Sequence, residues 1–287
     1  MSLDPHVLKR FNAARRVRDP RTLCYAPELS LNFDQTGRVT SCCFNRSYVL
    51  GTYPDDSIEE IWTSKRLDRL RKALRRNDLS LGCQQCEKMI RAGNDEGVLI
   101  SHFDDFAPLR DELSPLRRFF GARREPTSDD VPLVFEFEIS NTCNMGCIMC
   151  GGKWSSVIRR DREKLPPLES PYDDDFVRQI EGFLPTLKRA NFLGGEPFLI
   201  KQYLDIWESI ARINPDIDVA ITSNGSVWNR RVERILRDLK RVKLTLSIDS
   251  LRKETYESIR LGGDFDTVRR NIDRFLDLGV LVSFSVC

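Results

Sequence analysis

LVFEFEISNTCNMGCIMCGG, residues 133–152, holds two signals in one stretch. Over 133–140 apolar and polar side chains alternate, the period of a strand. Directly after it, Cys143, Cys147 and Cys150 fall at the spacing C-x3-C-x2-C, with Gly146, Gly151 and Gly152 among them. Beyond them, strand-like runs over 190–194, 219–223, 242–248 and 280–286 alternate with stretches whose apolar residues recur three or four apart. These are Phe176/Ile180/Phe183, Leu204/Trp207/Ile210, Val232/Ile235/Leu236 and Val268/Ile272/Phe275/Leu276, each the apolar face of a helix. The alternation predicts an α/β fold built of successive βα units on a parallel sheet.

Each of the first four strands ends in a polar cluster. The first meets the three cysteines, the second runs into Gly194-Gly195-Glu196-Pro197, the third into Ser223-Asn224-Gly225, and the fourth into Ser247-Ile248-Asp249-Ser250. Carboxyl ends of strands share one face in βα barrels and open α/β sheets, and ligands bind there. The four clusters are therefore expected to meet in one site. Three thiolates in one loop can grip three corners of a cubane iron–sulfur cluster, with the glycines permitting close backbone approach. A fourth iron is left without a protein thiolate, and an open coordination position suits substrate or cofactor chemistry. A zinc ion would need a fourth ligand, and the two histidines, His6 and His102, are remote in sequence. Glu136 and Glu138 share one face of the first strand. That face is either the lumen, where the carboxylates would meet substrate, or an exposed or salt-bridged edge.

Cys143, Cys147 and Cys150 after the first strand, with Gly194-Gly195-Glu196-Pro197 after the second, resemble the radical S-adenosylmethionine (radical SAM) superfamily from about Val131 to the end. The resemblance implies a partial (β/α)6 barrel. It implies that Cys143, Cys147 and Cys150 ligate a 4Fe-4S cluster whose open iron is chelated by S-adenosylmethionine (SAM), and that reductive SAM cleavage yields a 5′-deoxyadenosyl radical that abstracts hydrogen. By the same resemblance Gly194, Gly195 and Glu196 border the SAM amino group, and Ser223, Asn224, Ser247 and Asp249 match positions near its ribose or methionine. Arg260 would meet the methionine carboxylate, since a guanidinium fork suits a carboxylate. Where the family often carries an aromatic residue between its last two cysteines, this chain has Met149, so adenine packing there would rely on a thioether. The run that ends at Cys287 is the fifth strand-like segment, and no sixth βα unit follows. The barrel is expected to be cut short, the sequence to be part of a longer protein, and Cys287 to be a buried strand residue.

Upstream, Cys24, then Cys42-Cys43 after a hairpin turning at Asp34-Gln35-Thr36-Gly37, then a helix, then Cys83-Gln84-Gln85-Cys86 resemble the SPASM/twitch type of auxiliary-cluster domain. Here it precedes the barrel, whereas it usually follows. Five cysteines supply four ligands, and neighbouring strand residues point to opposite faces, so one of Cys42 and Cys43 is expected to ligate. Zinc held by four thiolates stays open as the alternative to a second 4Fe-4S cluster. Ser57-Ile58-Glu59-Glu60 has the form of a capping box that opens a helix running to about Arg75. The expected domains are 20–90 for the auxiliary cluster, 91–130 as linker and 131–287 as barrel.

Bulk composition narrows the classes further. The 287 residues carry 45 basic and 43 acidic side chains, 40% hydrophobic residues and nine cysteines. That excludes disorder, collagen, coiled coil and a disulfide scaffold. No secretory leader or membrane-length apolar run is present, which gives a cytoplasmic, reducing setting where cysteines hold metal or do chemistry. Basic clusters at Arg69, Arg71, Lys72, Arg75, Arg76 and at Arg117, Arg118, Arg123, Arg124 read as solvated faces rather than phosphate tracks, so nucleic acid is not the expected partner. The expected function is radical SAM chemistry on a peptide or protein, fed by a reducing partner such as flavodoxin or ferredoxin. A carbohydrate, another small molecule or RNA is the alternative substrate. A non-enzymatic electron carrier or scaffold is the competing class, and the glycines at 194 and 195 count against it.

Overall fold

The structure, a computed structural model, describes residues 3–17, 20–95, 97–106 and 131–286. Arg117, Arg118, Arg123, Arg124 and Cys287 lie outside the described residues, as does 107–130 of the expected linker. Two compact units emerge, one of Met1–Asn32 with Arg38–Val134, the other of Phe33–Gly37 with Phe135–Cys287.

In the first unit β1 (Ser30–Phe33), β2 (Arg38–Thr40) and β3 (Gly51–Thr52) lie side by side in the order β3-β2-β1, β2 antiparallel to β3. The turn before β2 closes with Gly37 at φ 84°, a conformation that costs glycine little. Ser57 and Glu60 form the expected capping box, but the helix it opens stops at Trp62. A second helix, Lys65–Arg75, starts from Ser64, whose hydroxyl accepts from the Leu67 amide. A hydroxyl that can satisfy free amides at Ser64 makes a second start there cheaper than one continuous helix. Of the basic cluster on that second helix, Arg71 donates to the Pro27 carbonyl over the Trp62 ring and Arg75 pairs with Glu28. Those two cations are spent on holding the unit together.

The described part of the expected linker is structured. Helices Gln84–Arg91 and Ile100–Asp104 bury Ile90, Ile100 and Phe103, and with Val98 and Phe106 also buried, 98–106 packs into the core of this unit. Asp104 receives both Nε and Nη2 of Arg15, at 3.0 and 2.6 Å, and Arg15 also donates to the Thr22 carbonyl. The two side chains are 1% and 0% exposed. Breaking a buried pair by removing one partner strands the other charge, at about 3–5 kcal/mol. Asp104→Ala is therefore expected to lower unfolding stability by that amount in urea, and a loss under about 1 kcal/mol would show that water reaches Arg15.

The second unit is the α/β layer. Its strands are β4 (Val134–Phe137), β5 (Arg189–Phe192), β6 (Asp218–Ser223), β7 (Val242–Ser247) and β8 (Leu281–Ser285), laid down in sequence order. The pairs β5–β6, β6–β7 and β7–β8 are parallel, with Ala190 beside Val219, Ile221 beside Leu244 and Leu244 beside Val282. Between them run helices Asp174–Glu181, Lys201–Ile213, Arg230–Asp238, Lys253–Ile259 and Phe265–Asp277. Asp173, Asn229 and Asp264 cap three of these from the preceding loop. From β4 to β8 the strand order runs without reversal.

Alternation along β4 decides which face is which. Phe137 stacks on Phe192 at 4.8 Å between centroids, and Phe192 meets Tyr203 and Trp207 of helix Lys201–Ile213. Phe135 and Phe137 thus face the helices. Glu136 and Glu138, on the opposite side of the strand, are buried as well, at 3% and 5% exposure. An exposed edge is thereby replaced by an interior position for both carboxylates.

Candidate active site and metal centres

At the carboxyl ends of β4 to β7 the second unit holds a cavity of about 330 Å3. Cys143, Cys147, Cys150, Met149, Gly194, Gly195, Ser223, Asn224, Ser247 and Arg260 all line it. The cysteine loop is built against its neighbours through backbone bonds, Gly146 N to Leu261 O at 2.8 Å and Ile148 N to Ile259 O at 2.9 Å. Cys147 is buried with Met145, Ile248, Tyr256, Phe265 and Val268, and Cys143 and Cys150 pack against that group. Burial raises all three thiols, that of Cys143 to about 11. Neutral thiols give up protons on metal binding, so affinity here grows with pH.

Glycine is required at two places. Gly194 (φ 79°) and Gly195 (φ 52°) lie so close to the β4 loop that a Cβ on Gly195 would sit 2.2 Å from the Thr142 carbonyl oxygen. The neighbouring Glu196 amide donates to that same oxygen at 2.7 Å.

Glu196 and Asp249 are not among the residues lining the cavity. The Glu196 carboxylate is fully buried and turned into the protein, accepting from Ser223 Oγ and the Asn224 amide at 2.8 Å each and from the Phe198 amide at 3.2 Å. It ties the loop after β5 to the end of β6. Burial outweighs these three donors and raises the carboxyl to about 7. Because this value lies above the ordinary 4.5, the folded state holds an extra proton between pH 4.5 and 7, and stability falls as pH rises through that window. Comparing the urea midpoints of the cluster-free chain and of Glu196→Gln from pH 5 to 8 checks this. The downward slope is expected to flatten in the variant, and parallel profiles would assign the slope to other groups.

Asp249 makes a buried ion pair with Arg260, Oδ2 to Nε at 2.8 Å, and Arg260 Nη1 reaches Cys147 Sγ at 3.7 Å. The guanidinium is thus fixed from one side while it borders both the cavity and a thiol. Asn224 carries a link that sequence reading does not reveal. Its Nδ2 donates to Asn144 Oδ1 at 2.9 Å, and Asn144 donates on to Ser226. The cysteine loop and the end of β6 are held by that relay. Tyr256 also carried no signal, yet its hydroxyl is buried beside Cys147 with no hydrogen-bond partner among the described residues. Thr222, Trp154 and Glu138 line the cavity too. Only Glu138 was marked by the sequence, through its alternation with Phe137.

In the first unit Cys24, Cys42, Cys83 and Cys86 line one small cavity, and Cys43 is not among its lining residues. Of the adjacent pair, Cys42 is the one that faces the other three thiols. Cys42 is buried and Cys43 half-buried, both in the bend that follows β2. Burial, followed by the neighbouring Cys86, raises the Cys83 thiol to about 12. The donor sets fit iron–sulfur clusters: three thiols lining one cavity of the second unit, and four thiols lining one small cavity of the first. Among the described residues no three His, Cys, Asp or Glu converge tightly enough to hold a single metal ion. Tetrahedral zinc would draw its sulfurs to within about 3.8 Å of one another.

Comparison with known proteins agrees with this geometry. Residues 137–287 match the family model of the radical SAM superfamily, and residues 24–87 that of SPASM, an iron–sulfur cluster-binding domain. A GTP 3′,8-cyclase of Clostridium botulinum (strain Okra / Type B1) is 27% identical over 143 residues, which is 50% of this chain and 43% of that protein. The GTP 3′,8-cyclase of Alkaliphilus oremlandii (strain OhILAs) is 30% identical over 143 residues, 50% of this chain and 42% of the relative. The match thus spans less than half the length of these relatives. Streptococcus suis SuiB bound to S-adenosylmethionine aligns with a TM-score of 0.44 at 15% identity, over 65% of this chain and 46% of that one. No helix among the described residues is long and apolar enough to cross a membrane.

Proposed function

The chain belongs to the radical SAM superfamily, and from that premise we propose that it generates a substrate radical in the cavity of its second unit and acts on a peptide or protein. Its cofactors are a 4Fe-4S cluster with SAM and, in the SPASM domain, a further iron–sulfur cluster. The observation that carries the reading is one cavity lined at once by Cys143, Cys147, Cys150, Gly194, Gly195 and Arg260.

When bound and reduced, the cluster with SAM supplies a 5′-deoxyadenosyl radical that takes a hydrogen atom. The chain's own residues do the rest. Cys143, Cys147 and Cys150 would hold the cluster, and Cys24, Cys42, Cys83 and Cys86 the second one. Gly194 and Gly195 leave room for the SAM methionine against bare backbone. Arg260, held by Asp249, offers a fixed guanidinium to the carboxylate. Ser247 and Asn224 present hydrogen-bonding groups at the ends of β6 and β7, and Met149 gives an apolar, polarisable edge.

The SPASM-type domain supports a peptide or protein substrate, since that resemblance implies peptide modification. So does the rim. Ile148 is 57% and Leu261 50% exposed, and they sit on the two segments bonded through Gly146 and Ile148, an apolar margin beside the cavity mouth. A nucleotide is the second reading, favoured by likeness to the GTP 3′,8-cyclases, which covers half of this chain. Reduction by a flavodoxin- or ferredoxin-like donor in the cytoplasm completes the proposal.

Anaerobic reconstitution with iron and zinc counting, followed by electron paramagnetic resonance with and without SAM, tests it. Roughly eight irons per chain and a SAM-shifted signal are expected for two 4Fe-4S clusters. No response to SAM would sink the enzymatic reading. A signal perturbed by GTP but by no peptide would move the substrate to the nucleotide class.

A further inference from the structure

Four thiols in the first unit use every corner of a cubane, so the protein's remaining control over that cluster lies in what touches the sulfurs. Three donors do. The Ala26 amide points at Cys24 Sγ at 3.4 Å, the Leu99 amide faces Cys86, and Asn45 Nδ2 lies 3.4 Å from Cys83 Sγ. Two are backbone. Asn45 is the side chain of the three, and it is 1% exposed.

Its orientation follows from its partners. Asn45 Oδ1 accepts from the Tyr48 amide at 3.2 Å, which leaves the amide nitrogen to donate to Leu81 O at 2.9 Å and toward the sulfur. The opposite assignment would set an N–H against the Tyr48 N–H. The facing loop is shaped around this group. Gly82 sits at φ 79°, and a Cβ there would fall 1.9 Å from Asn45 Oδ1.

We propose that Asn45 sets the reduction potential of the cluster held by Cys24, Cys42, Cys83 and Cys86 by donating a hydrogen bond to the Cys83 thiolate. The proposal rests on the reading that these four thiols ligate iron. One-electron reduction adds a negative charge spread over iron and sulfur, and a buried donor at a ligating sulfur stabilises the more negative state. Asn45 is thus a positioning residue that makes this cluster easier to reduce than its four thiolates alone would.

Potentiometric titration of the reconstituted full chain, followed by electron paramagnetic resonance, measures this for Asn45→Ala and Asn45→Asp. Alanine is expected to keep the iron content and to lower the reduced-to-oxidised ratio of the auxiliary signal about tenfold at fixed potential, which for one electron is about 59 mV. Aspartate keeps the acceptor for Tyr48 and the side-chain size while placing a carboxylate at the sulfur, so its shift has the same sign and is larger. The SAM-responsive signal should stay where it is in both. An unchanged midpoint with iron retained would overturn the proposal, and loss of iron in both variants would reduce Asn45 to a loop tie. Absence of an auxiliary signal in the unsubstituted protein would instead overturn the reading beneath it.

Discussion

Replacing Cys143, Cys147 and Cys150 together by alanine is expected to drop the iron content from roughly eight to roughly four per chain and to leave SAM cleavage undetectable. The three thiols line one cavity. The four thiols of the first unit belong to a separate cavity, so their iron should remain. The substitutions should cost little folding energy beyond the lost packing of Cys147, because the loop is held by backbone bonds to residues 259–261 and by the Ser155 and Ser156 hydroxyls. Iron assay, SAM turnover and circular dichroism on one preparation check all three statements. Retention of about eight irons would mean that these cysteines are not ligands, and loss of all iron would mean that the two centres fold as one.

Gly195→Ala is expected to weaken SAM binding roughly a hundredfold, about 2.7 kcal/mol, and to leave the auxiliary centre intact. Two effects add. At φ 52° alanine is strained, by about 1–2 kcal/mol. Its Cβ would also meet the Thr142 oxygen at 2.2 Å, the Thr142 carbonyl carbon at 2.9 Å and the Asn141 carbonyl carbon at 3.0 Å, all backbone atoms that cannot rotate away. The loop after β5 must then lift from the loop after β4, breaking the Glu196 amide bond to Thr142 and opening the wall that Gly194 and Gly195 give the cavity. Gly279→Ala is the control. Gly279 also has a positive φ of 72°, but a Cβ there meets nothing within 4 Å, so strain appears without a binding defect. Equilibrium SAM binding to both variants decides, and affinity within about twofold of the unsubstituted chain for Gly195→Ala would sink the argument.

Much of the site was legible because strand ends converge by topology. Once strands and helices alternate, polar clusters at successive carboxyl ends must share a face, and Cys143, Gly194, Ser223 and Ser247 duly line one cavity. The helix start at Ser57 was legible because a capping box announces it. Ser64 was overlooked because the apolar period of the first helix carries on past it. The stretch over 91–106 looked like linker because its helices are short, and short helices owe their stability to tertiary burial such as that of Phe103 and to the Arg15–Asp104 pair.

By itself the sequence determined the α/β alternation, the order of the polar clusters and the two sets of cysteines, because each depends on local period or spacing. Tertiary structure alone decided that Cys42 and not Cys43 joins Cys24, Cys83 and Cys86, that Glu196 turns inward to Ser223 and Asn224, and that Arg260 is held by Asp249 beside Cys147. A spacing names which residues can reach a site, whereas the direction of a side chain follows from what must be desolvated and satisfied around it. Buried carboxylates, guanidinium groups and amides turn to whichever partners the packing leaves within hydrogen-bond distance.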